Sequence, residues 1–433
     1  MRVINLTQRL ASDQKMINIL LPTGARAVAN NLSDMFEDIR FSALCHLICF
    51  FLLNCHSISD LVRRAPFSLS VSSLSKAAKS FPINRFRRRL LSSILRSHGG
   101  AIDPQNFAFV IDDTSNPKSG KRIFNKGVWG GSQGLYSGQK IMLLSLVNLK
   151  THASFPLTYM ILPKRESKTD KSAIDHALEL VKLALNEGYP KLTVIADSWF
   201  DSVKLMANLN EINCHFVVEI KSNRKVKSNP GVNVKPTTLQ KAFEDVARIR
   251  TITDWDSLAI RRRKRGGKVI SEIAVQLTNR TTPVKCIAVY NRKNSVSRFA
   301  YYVSTDRSIS RARIWMLSRA RWSIECIFRT LKQGLSFGRL SCIGEEAAHL
   351  AVAMPLYLYG RLRLEPPEFW GLTQLESPDR MLGKISAVSL QKSLDILIGN
   401  PNHDRVKTLR YRRSVDRANR KPYSRPAGEA SAA

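Results

Sequence analysis

The sequence predicts an α/β protein whose core is a mixed β-sheet, with an N-terminal helical domain and a β-rich insertion. Two observations point to this class. Between residues 107 and 220, short apolar segments of strand length alternate with amphipathic helical segments, which is the pattern of strands joined by helical crossovers. A chain of 433 residues is also long enough to bury a substantial core and to hold two or three domains.

Residues 1–100 are predicted to form the helical domain, with helices at 36–55, 57–64, 73–79 and 84–97 separated by serine-rich caps. The last helix has a basic face, which carries Arg85, Arg87, Arg88, Arg89 and Arg96. Short helices with a basic face are typical of small DNA-binding domains such as the helix-turn-helix. The pattern fits a plain helical bundle equally well, so both interpretations stay open.

The core begins with a continuous apolar run at residues 107–111, which predicts a buried strand that ends in Asp112 and Asp113. Residues 115–138 are rich in Gly, Ser and Lys and are predicted to form a loop. Two further strands are predicted at 140–149 and 155–162.

Helical and strand-like segments then alternate, at residues 171–187, 191–196, 202–210 and 215–220. Three antiparallel strands followed by parallel strands and helical crossovers is the order of a ribonuclease-H-like core. In that arrangement the ends of the first and fourth strands lie side by side. Asp112 and Asp197 are therefore expected to meet, although they are distant in sequence.

The core is predicted to occupy residues 101–221 and 307–365, interrupted by a β-rich insertion at 222–306 with strands at 269–277, 284–290 and 298–304. A basic turn at 261–268 is expected either to face phosphate or to be a solvated hairpin tip. Residues 366–433 form the C-terminal region, which becomes basic and then rich in Pro, Ala and Ser, and is expected to be partly disordered.

The charge of the chain indicates a polyanionic partner. Lys and Arg number 68 against 34 Asp and Glu, which gives a net charge of +34 at pH 7. Nucleic acid is the expected partner, because each neutralised phosphate releases counterions. A ribosomal-type binder would carry similar charge but needs less apolar sequence than the 44% found here.

The cysteines favour a reducing compartment, because their number is odd at 7 and they are scattered along the chain. Cys45, Cys49 and Cys55 belong to an apolar helical segment and are interpreted as core residues rather than zinc ligands. That segment is too short to cross a bilayer. We therefore expect a soluble cytoplasmic protein without a membrane partner.

A helix predicted at residues 310–334 carries three charged residues on one stripe. At 100° per residue, Arg321, Glu325 and Lys332 project within roughly 40° of each other. An apolar stripe beside them is suited to docking on a sheet. The alternative is a surface helix with an Arg–Glu pair one turn apart.

The acidic residues suit phosphodiester chemistry with two Mg²⁺ (or Mn²⁺) ions, because such hard cations prefer carboxylate oxygens. The candidate metal-binding and catalytic set is Asp112, Asp197 and Glu325, with Asp113 as an alternative to Asp112. Successive strand residues face opposite sides, so only one of these two neighbours is expected to reach the metals. Arg321, Arg329 and Lys332 are the candidate phosphate-binding residues.

The chain resembles the cut-and-paste DDE transposases of bacterial insertion sequences, in the group marked by a Tyr-x2-Arg-x3-Glu-x6-Lys signature. Arg321, Glu325 and Lys332 match that spacing, and residues 109–114 and 194–197 followed by 215–221 look like the family's two Asp blocks. The signature's Tyr position is occupied by Ser318, which is a departure from the family.

The resemblance implies hydrolysis at the ends of the element, followed by attack of the freed 3′-hydroxyl on target DNA. Some relatives pass through a DNA hairpin, and an aromatic residue of the insertion such as Trp255 could stack on a flipped base or simply lie in the core or on the surface. The resemblance also implies a homodimer on double-stranded DNA, in a bacterial, nucleoid-associated setting. The alternatives are an inactive transposase-derived DNA-binding protein, a junction resolvase on the same fold, and a basic structural nucleic-acid binder without a site.

Overall fold

The computed structural model describes residues 23–36, 39–64, 69–120, 122–131, 134–164, 166–167, 169–227, 235–249, 269–278, 280, 282–293, 296–340 and 343–398. The chain forms two compact units. The helical unit comprises Met1–Leu90, Ser115–Gln139 and Ile327–Ala433, and the sheet unit comprises Leu91–Thr114 and Lys140–Cys326. Predicted features at residues 261–268, at Trp255 and beyond residue 398 lie outside the described residues.

The helical unit begins with a series of short helices: α1 (Thr23–Ser33), α2 (Phe41–Leu52), α3 (Ile58–Arg64), α4 (Val71–Ala78) and α5 (Ile83–Ser97), the last of which continues into the sheet unit. Ser70 begins α4 because its hydroxyl accepts a hydrogen bond from the Ser73 amide. The predicted N-terminal helices are thus present, and α1 was not foreseen. Cys45, Cys49 and Cys55 are buried, as expected for core thiols.

The remainder of the helical unit contains a β-hairpin and three later helices. The hairpin joins β2 (Gly127–Gly131) to the start of β3 (Gly134–Asn148), and the helices are the end of α10 (Trp322–Gly334), α11 (Glu345–Leu364) and α12 (Pro378–Ile398). Residues of α11 are buried along most of its length. Its Tyr357 packs on Phe86 of α5, with ring centroids 5.5 Å apart. The core of this unit is therefore helix on helix.

The sheet unit is built on a mixed β-sheet. Its central strands are β1 (Phe107–Pro117), β3, β4 (Ser154–Ile161), β5 (Val194–Ala196) and β6 (Phe216–Ile220), in the spatial order β4-β3-β1-β5-β6. β4 is antiparallel to β3, whereas β5 is parallel to both β1 and β6. The expected α/β fold with a ribonuclease-H-like mixed sheet is confirmed.

The strands that follow extend this sheet beyond β6. They are β7 (Lys225–Lys227), β8 (Thr237–Thr238), β9 (Val269–Leu277), β10 (Val284–Lys293) and β11 (Val296–Ser304), in the order β6-β11-β10-β9-β7-β8. β11 runs antiparallel to β6, and this register places Tyr302 opposite Glu219. A helix that was not predicted, α8 (Leu239–Ile249), lies among these strands in the sequence.

Besides α8 and the end of α5, the described helices of the sheet unit are α6 (Ala173–Asn186), α7 (Val203–Glu211), α9 (Arg311–Ala320) and the first turn of α10. α6 begins with a capping box in which Ser172 and Asp175 each accept from the other's backbone amide. Its buried face includes Leu178 and Val181. Among the described helices, none combines the length and apolar character needed to cross a membrane.

The prediction of a loop at residues 115–138 is wrong, because β1 continues to Pro117 and the β2–β3 hairpin forms at 127–138. Gly138 serves close packing there, because a Cβ at this position would lie 2.4 Å from the Asn116 carbonyl oxygen. The single helix predicted at 310–334 is also wrong. It is interrupted between α9 and α10 at Arg321, whose dihedral angles remain helical (φ −53°, ψ −37°), so the interruption lies in the hydrogen-bond ladder.

Candidate active site

The first carboxylates of the site follow the buried part of β1. Residues 107–111 are buried, as expected for a central strand, and Asp112 and Asp113 come directly after them at half-buried positions. Their side chains take different partners. The Asp112 carboxylate lies 3.8 Å from the Arg321 guanidinium, and the Asp113 carboxylate lies 3.1 Å from the Lys140 ammonium. This separation is what the alternation of a strand produces.

The third Asp follows β5, the parallel neighbour of β1. The Asp197 carboxylate caps a short 3₁₀ turn, Ser198–Phe200, and accepts a hydrogen bond from the Trp199 amide at 2.9 Å. Burial and the nearby charge of Asp197 raise the pKa of Asp112 to about 7, against the lowering effects of the Asp113 amide and Arg321. Asp112 and Asp197 are thus brought together, as the sequence predicted.

Glu325 enters from the first turn of α10. Its carboxylate lies 2.6 Å from the Arg321 guanidinium, one helical turn earlier. Burial alone would lower the pKa of Arg321, but the charges of Glu325, Asp112 and Asp197 outweigh it and raise this pKa. One guanidinium therefore interacts with all three acidic residues singled out in the sequence.

Glu219 is a further carboxylate of this cluster that the sequence reasoning did not single out. It lies on β6, and its pKa is raised by burial and by Asp197, with Arg321 acting in the opposite direction. The available signal was a charged residue inside the otherwise apolar strand Phe216–Ile220.

Tyr302 lies opposite Glu219 on β11 and hydrogen-bonds with Ser318. Burial, together with Glu219, raises the pKa of the Tyr302 phenol to about 12. Ser318, which stands at the signature's Tyr position, is buried and donates a hydrogen bond to the Trp315 carbonyl at 2.8 Å. The phenol of Tyr302, which comes from β11, therefore lies beside Ser318, the position at which the chain departs from the signature.

The two remaining candidates, Arg329 and Lys332, lie on the part of α10 that belongs to the helical unit. Arg329 is exposed and Lys332 is half-buried. Burial lowers the pKa of Lys332. Such a lysine gains from an anionic ligand, because an anion favours its charged form.

The donor chemistry of the cluster fits a divalent cation. Carboxylate oxygens are the ligands that Mg²⁺ prefers, and burial together with the charge of Asp197 disfavours ionisation of Asp112, which a bound cation would offset. Within the described part of the chain, however, no three acidic, His or Cys side chains converge closely enough to hold a metal ion. Two of the carboxylates have cationic partners instead, because Arg321 engages Glu325 and Lys140 engages Asp113.

Comparisons with known proteins bear on the family. A family model described as "Transposase DDE domain" matches residues 108–359, more than half of the chain. No curated protein matches the chain.

Two solved structures show weak similarity. A piggyBac transposase synaptic complex with hairpin DNA is 11% identical with a TM-score of 0.42, covering 89% of this chain and 77% of that one. Endonuclease V of Ciona intestinalis, in complex with a 24mer DNA containing an inosine followed by a ribo-adenosine, is 14% identical with a TM-score of 0.24, covering 57% and 96%. These two likenesses add nothing to the assignment, and the family match over residues 108–359 alone shows that the chain belongs to the DDE-domain transposases.

Proposed function

We propose that this protein is a metal-dependent cut-and-paste transposase, which cleaves DNA at the ends of an insertion sequence and joins the freed 3′-hydroxyl to target DNA. The observation that carries the proposal is the shared interaction of Arg321 with Asp112, Asp197 and Glu325. These carboxylates come from two strand ends and a helix that are distant in sequence. A purely structural nucleic-acid binder has no reason to gather them.

Two Mg²⁺ (or Mn²⁺) ions, when bound, supply activation of the attacking water or 3′-hydroxyl and stabilisation of the leaving oxygen. Asp112, Asp197 and Glu325 would hold them. The pairing of Asp113 with Lys140 supports Asp112 as the first ligand, because Asp113 already has a cation. Glu325 would exchange its bond to Arg321 for a metal, and the guanidinium would then be available for a phosphate oxygen.

The DNA-binding residues in this proposal are cationic. Lys332 and Arg329, which both lie on α10, would bind phosphates of a DNA strand. The basic face of α5 would bind DNA as part of an N-terminal domain of residues 1–100. The proposed domain boundaries are those predicted from the sequence: 1–100, 101–221, 222–306, 307–365 and 366–433. The protein would act as a homodimer on the two element ends, at the nucleoid of a bacterial cell.

The first test is cleavage of a labelled duplex carrying the element's own ends, with Mg²⁺ or Mn²⁺ present. Glu325→Gln keeps the size of the side chain and removes the charge that holds metal, so we expect at least a hundredfold loss of cleavage with duplex binding retained. Glu211→Gln, an exposed residue of α7, is the matched control and should cleave like the wild type. Equal cleavage by wild type and Glu325→Gln would contradict the proposal.

A second candidate function is an inactive transposase-derived DNA-binding protein. Ser318 in place of the signature's Tyr and the engagement of Glu325 by Arg321 favour it. Binding of the end-bearing duplex without cleavage by the wild type, with either metal, is the outcome that this candidate predicts.

A further inference from the structure

Trp199 is an exposed aromatic side chain beside the acidic cluster. It lies in the turn Ser198–Phe200 directly after β5, and 49% of its surface is exposed. Large aromatic side chains are ordinarily buried well beyond this, because their apolar area is large. Its backbone amide is the group that donates to Asp197, so its location is tied to the site.

The indole is held in place on two sides. The Lys140 ammonium lies 4.3 Å from the ring centroid. The ring of Phe200, which is fully buried, lies 4.9 Å away at an interplanar angle of 81°. An exposed side chain that is fixed in this way loses little conformational freedom when a ligand binds to it.

Lys140 is in turn fixed by Asp113. Their 3.1 Å ion pair is mostly shielded from solvent, with side-chain exposures of 12% and 17%. The sequence offered Asp113 as an alternative metal ligand, but its geometry makes it the anchor of a carboxylate–ammonium–indole arrangement. A pair this shielded is a positioning device for the ring rather than a contact for ligands.

We propose that Trp199 is a stacking platform for an unpaired base of the bound DNA, positioned by the Asp113–Lys140 pair. A flat aromatic face with a cation beside it suits a nucleobase, and the net charge of +34 brings DNA to the protein. A base inside a duplex already has both faces covered. The platform therefore selects a base that is unpaired at the end of a DNA strand or flipped out of the duplex. Such a base would lie next to the carboxylates proposed to cleave DNA. The inference rests on the proposed DNA-binding function.

The test measures binding in EDTA, so that no cleavage contributes. Probes are a blunt mixed-sequence duplex and the same duplex with a short 3′ overhang, carrying 2-aminopurine at successive overhang positions. This base is fluorescent when free and quenched when stacked. With wild-type protein we expect quenching at one unpaired position and roughly tenfold tighter binding of the overhang duplex than of the blunt one.

Two substitutions separate stacking from packing. Trp199→Phe keeps an aromatic face and should retain part of the quenching. Trp199→Leu keeps an apolar side chain without that face and should lose the quenching and the overhang preference, with blunt-duplex affinity within twofold. Leu183→Ala on α6, another partly exposed apolar residue, is the matched control and should behave like the wild type.

The positioning pair is tested by Asp113→Asn combined with Lys140→Met, which removes both charges and leaves no buried charge alone. We expect part of the quenching to be lost, and the single variant Lys140→Arg to retain it. Trp322, at the start of α10, is another exposed tryptophan and is the rival platform. Unchanged quenching in Trp199→Leu, or loss of quenching in Trp322→Ala but not in Trp199→Leu, would overturn the inference while leaving the proposed function intact. Absence of duplex binding by the wild type at low salt would overturn both.

Discussion

At the scale of single residues, the candidate site is a group of carboxylates gathered around one guanidinium. Arg321 interacts with Asp112, Asp197 and Glu325, and it partly offsets the burial that raises the pKa of Glu219. Arg321 does not fully offset the other effects on Asp112. The pKa of this carboxyl is raised to about 7, because burial and the charge of Asp197 outweigh the charge of Arg321. The free energy of folding without metal should therefore depend on this carboxyl.

The dependence on pH follows from the direction of the shift. The pKa of Asp112 is 3.8 in the unfolded chain and about 7 in the folded one. Between these values the folded state retains a proton that the unfolded state has released, so stability falls as pH rises and levels off above about 7. Asp112→Asn removes this loss. In metal-free buffer we expect the variant to be more stable than the wild type at pH 8, by on the order of 2 kcal/mol.

The measurement is urea unfolding of both proteins in EDTA at pH 4 and pH 8. The difference between them should be small at pH 4, where the folded carboxyl is protonated and the unfolded one is only about half ionised, so that little stability has yet been lost. Asp306→Asn is a suitable control because its pKa is lowered rather than raised, so any effect must have the opposite sign. A stability difference that is the same at both pH values would contradict the assignment of the shift to Asp112.

At the scale of elements, the end of α10 is tied to the end of α2 within the helical unit. Asn54 follows α2 in the left-handed conformation, with φ of 51°. Its side-chain amide donates to the Gln333 carbonyl at 2.7 Å, and its oxygen accepts from the Ser336 amide at 3.2 Å and from Arg339 at 3.1 Å. Arg339 also donates to the Lys332 carbonyl at 3.1 Å. This cluster fixes the turn of helix that carries Lys332.

Asn54→Ala removes the side-chain hydrogen bonds. It also leaves an alanine at positive φ, where its Cβ is strained and no side-chain hydrogen bond offsets the strain. We expect a loss of roughly 2–3 kcal/mol in the free energy of unfolding, measured by chemical denaturation. Asn54→Gly separates the two causes, because glycine accepts positive φ and lacks only the side-chain bonds. If Ala and Gly are equally destabilising, the backbone conformation contributes nothing and that part of the account is wrong.

The elements also show how far the sequence could lead. Apolar runs of strand length predicted the central strands, and strand-end chemistry predicted that Asp112 and Asp197 meet. The β2–β3 hairpin was missed because glycine-rich sequence is typical of loops. Gly138 instead lies within a strand, where the close approach of the Asn116 backbone leaves no room for a Cβ. The Asp113–Lys140 and Tyr302–Ser318 partners depend on strand register and helix placement, which periodicity does not contain.

At the scale of the whole molecule, the dominant property is the net charge of +34. Binding of such a chain to DNA should be driven mainly by release of counterions, so its affinity should fall steeply with salt. Most of this attraction is independent of sequence. The specific question is which cations touch phosphate in the bound state.

Replacing Arg329 and Lys332 together by Gln should reduce the slope of log affinity against log salt concentration by about 2, since each phosphate contact contributes about 0.9. Fluorescence anisotropy with a labelled duplex over a series of NaCl concentrations measures the slope. Lys182→Gln, an exposed residue of α6, removes a charge outside the proposed contact and should leave the slope unchanged. Equal slopes for wild type and the double variant would exclude both residues as phosphate contacts.

The guanidinium of Arg321 has one more consequence, which concerns the life of the protein before it meets DNA. A cluster of acidic groups that had to wait for metal would leave a newly made chain unstable and open to proteolysis. Because Arg321 supplies a resident counter-charge, the chain can fold before any metal is bound. Under the proposed function, metal binding is then an exchange of cations rather than a late step of folding.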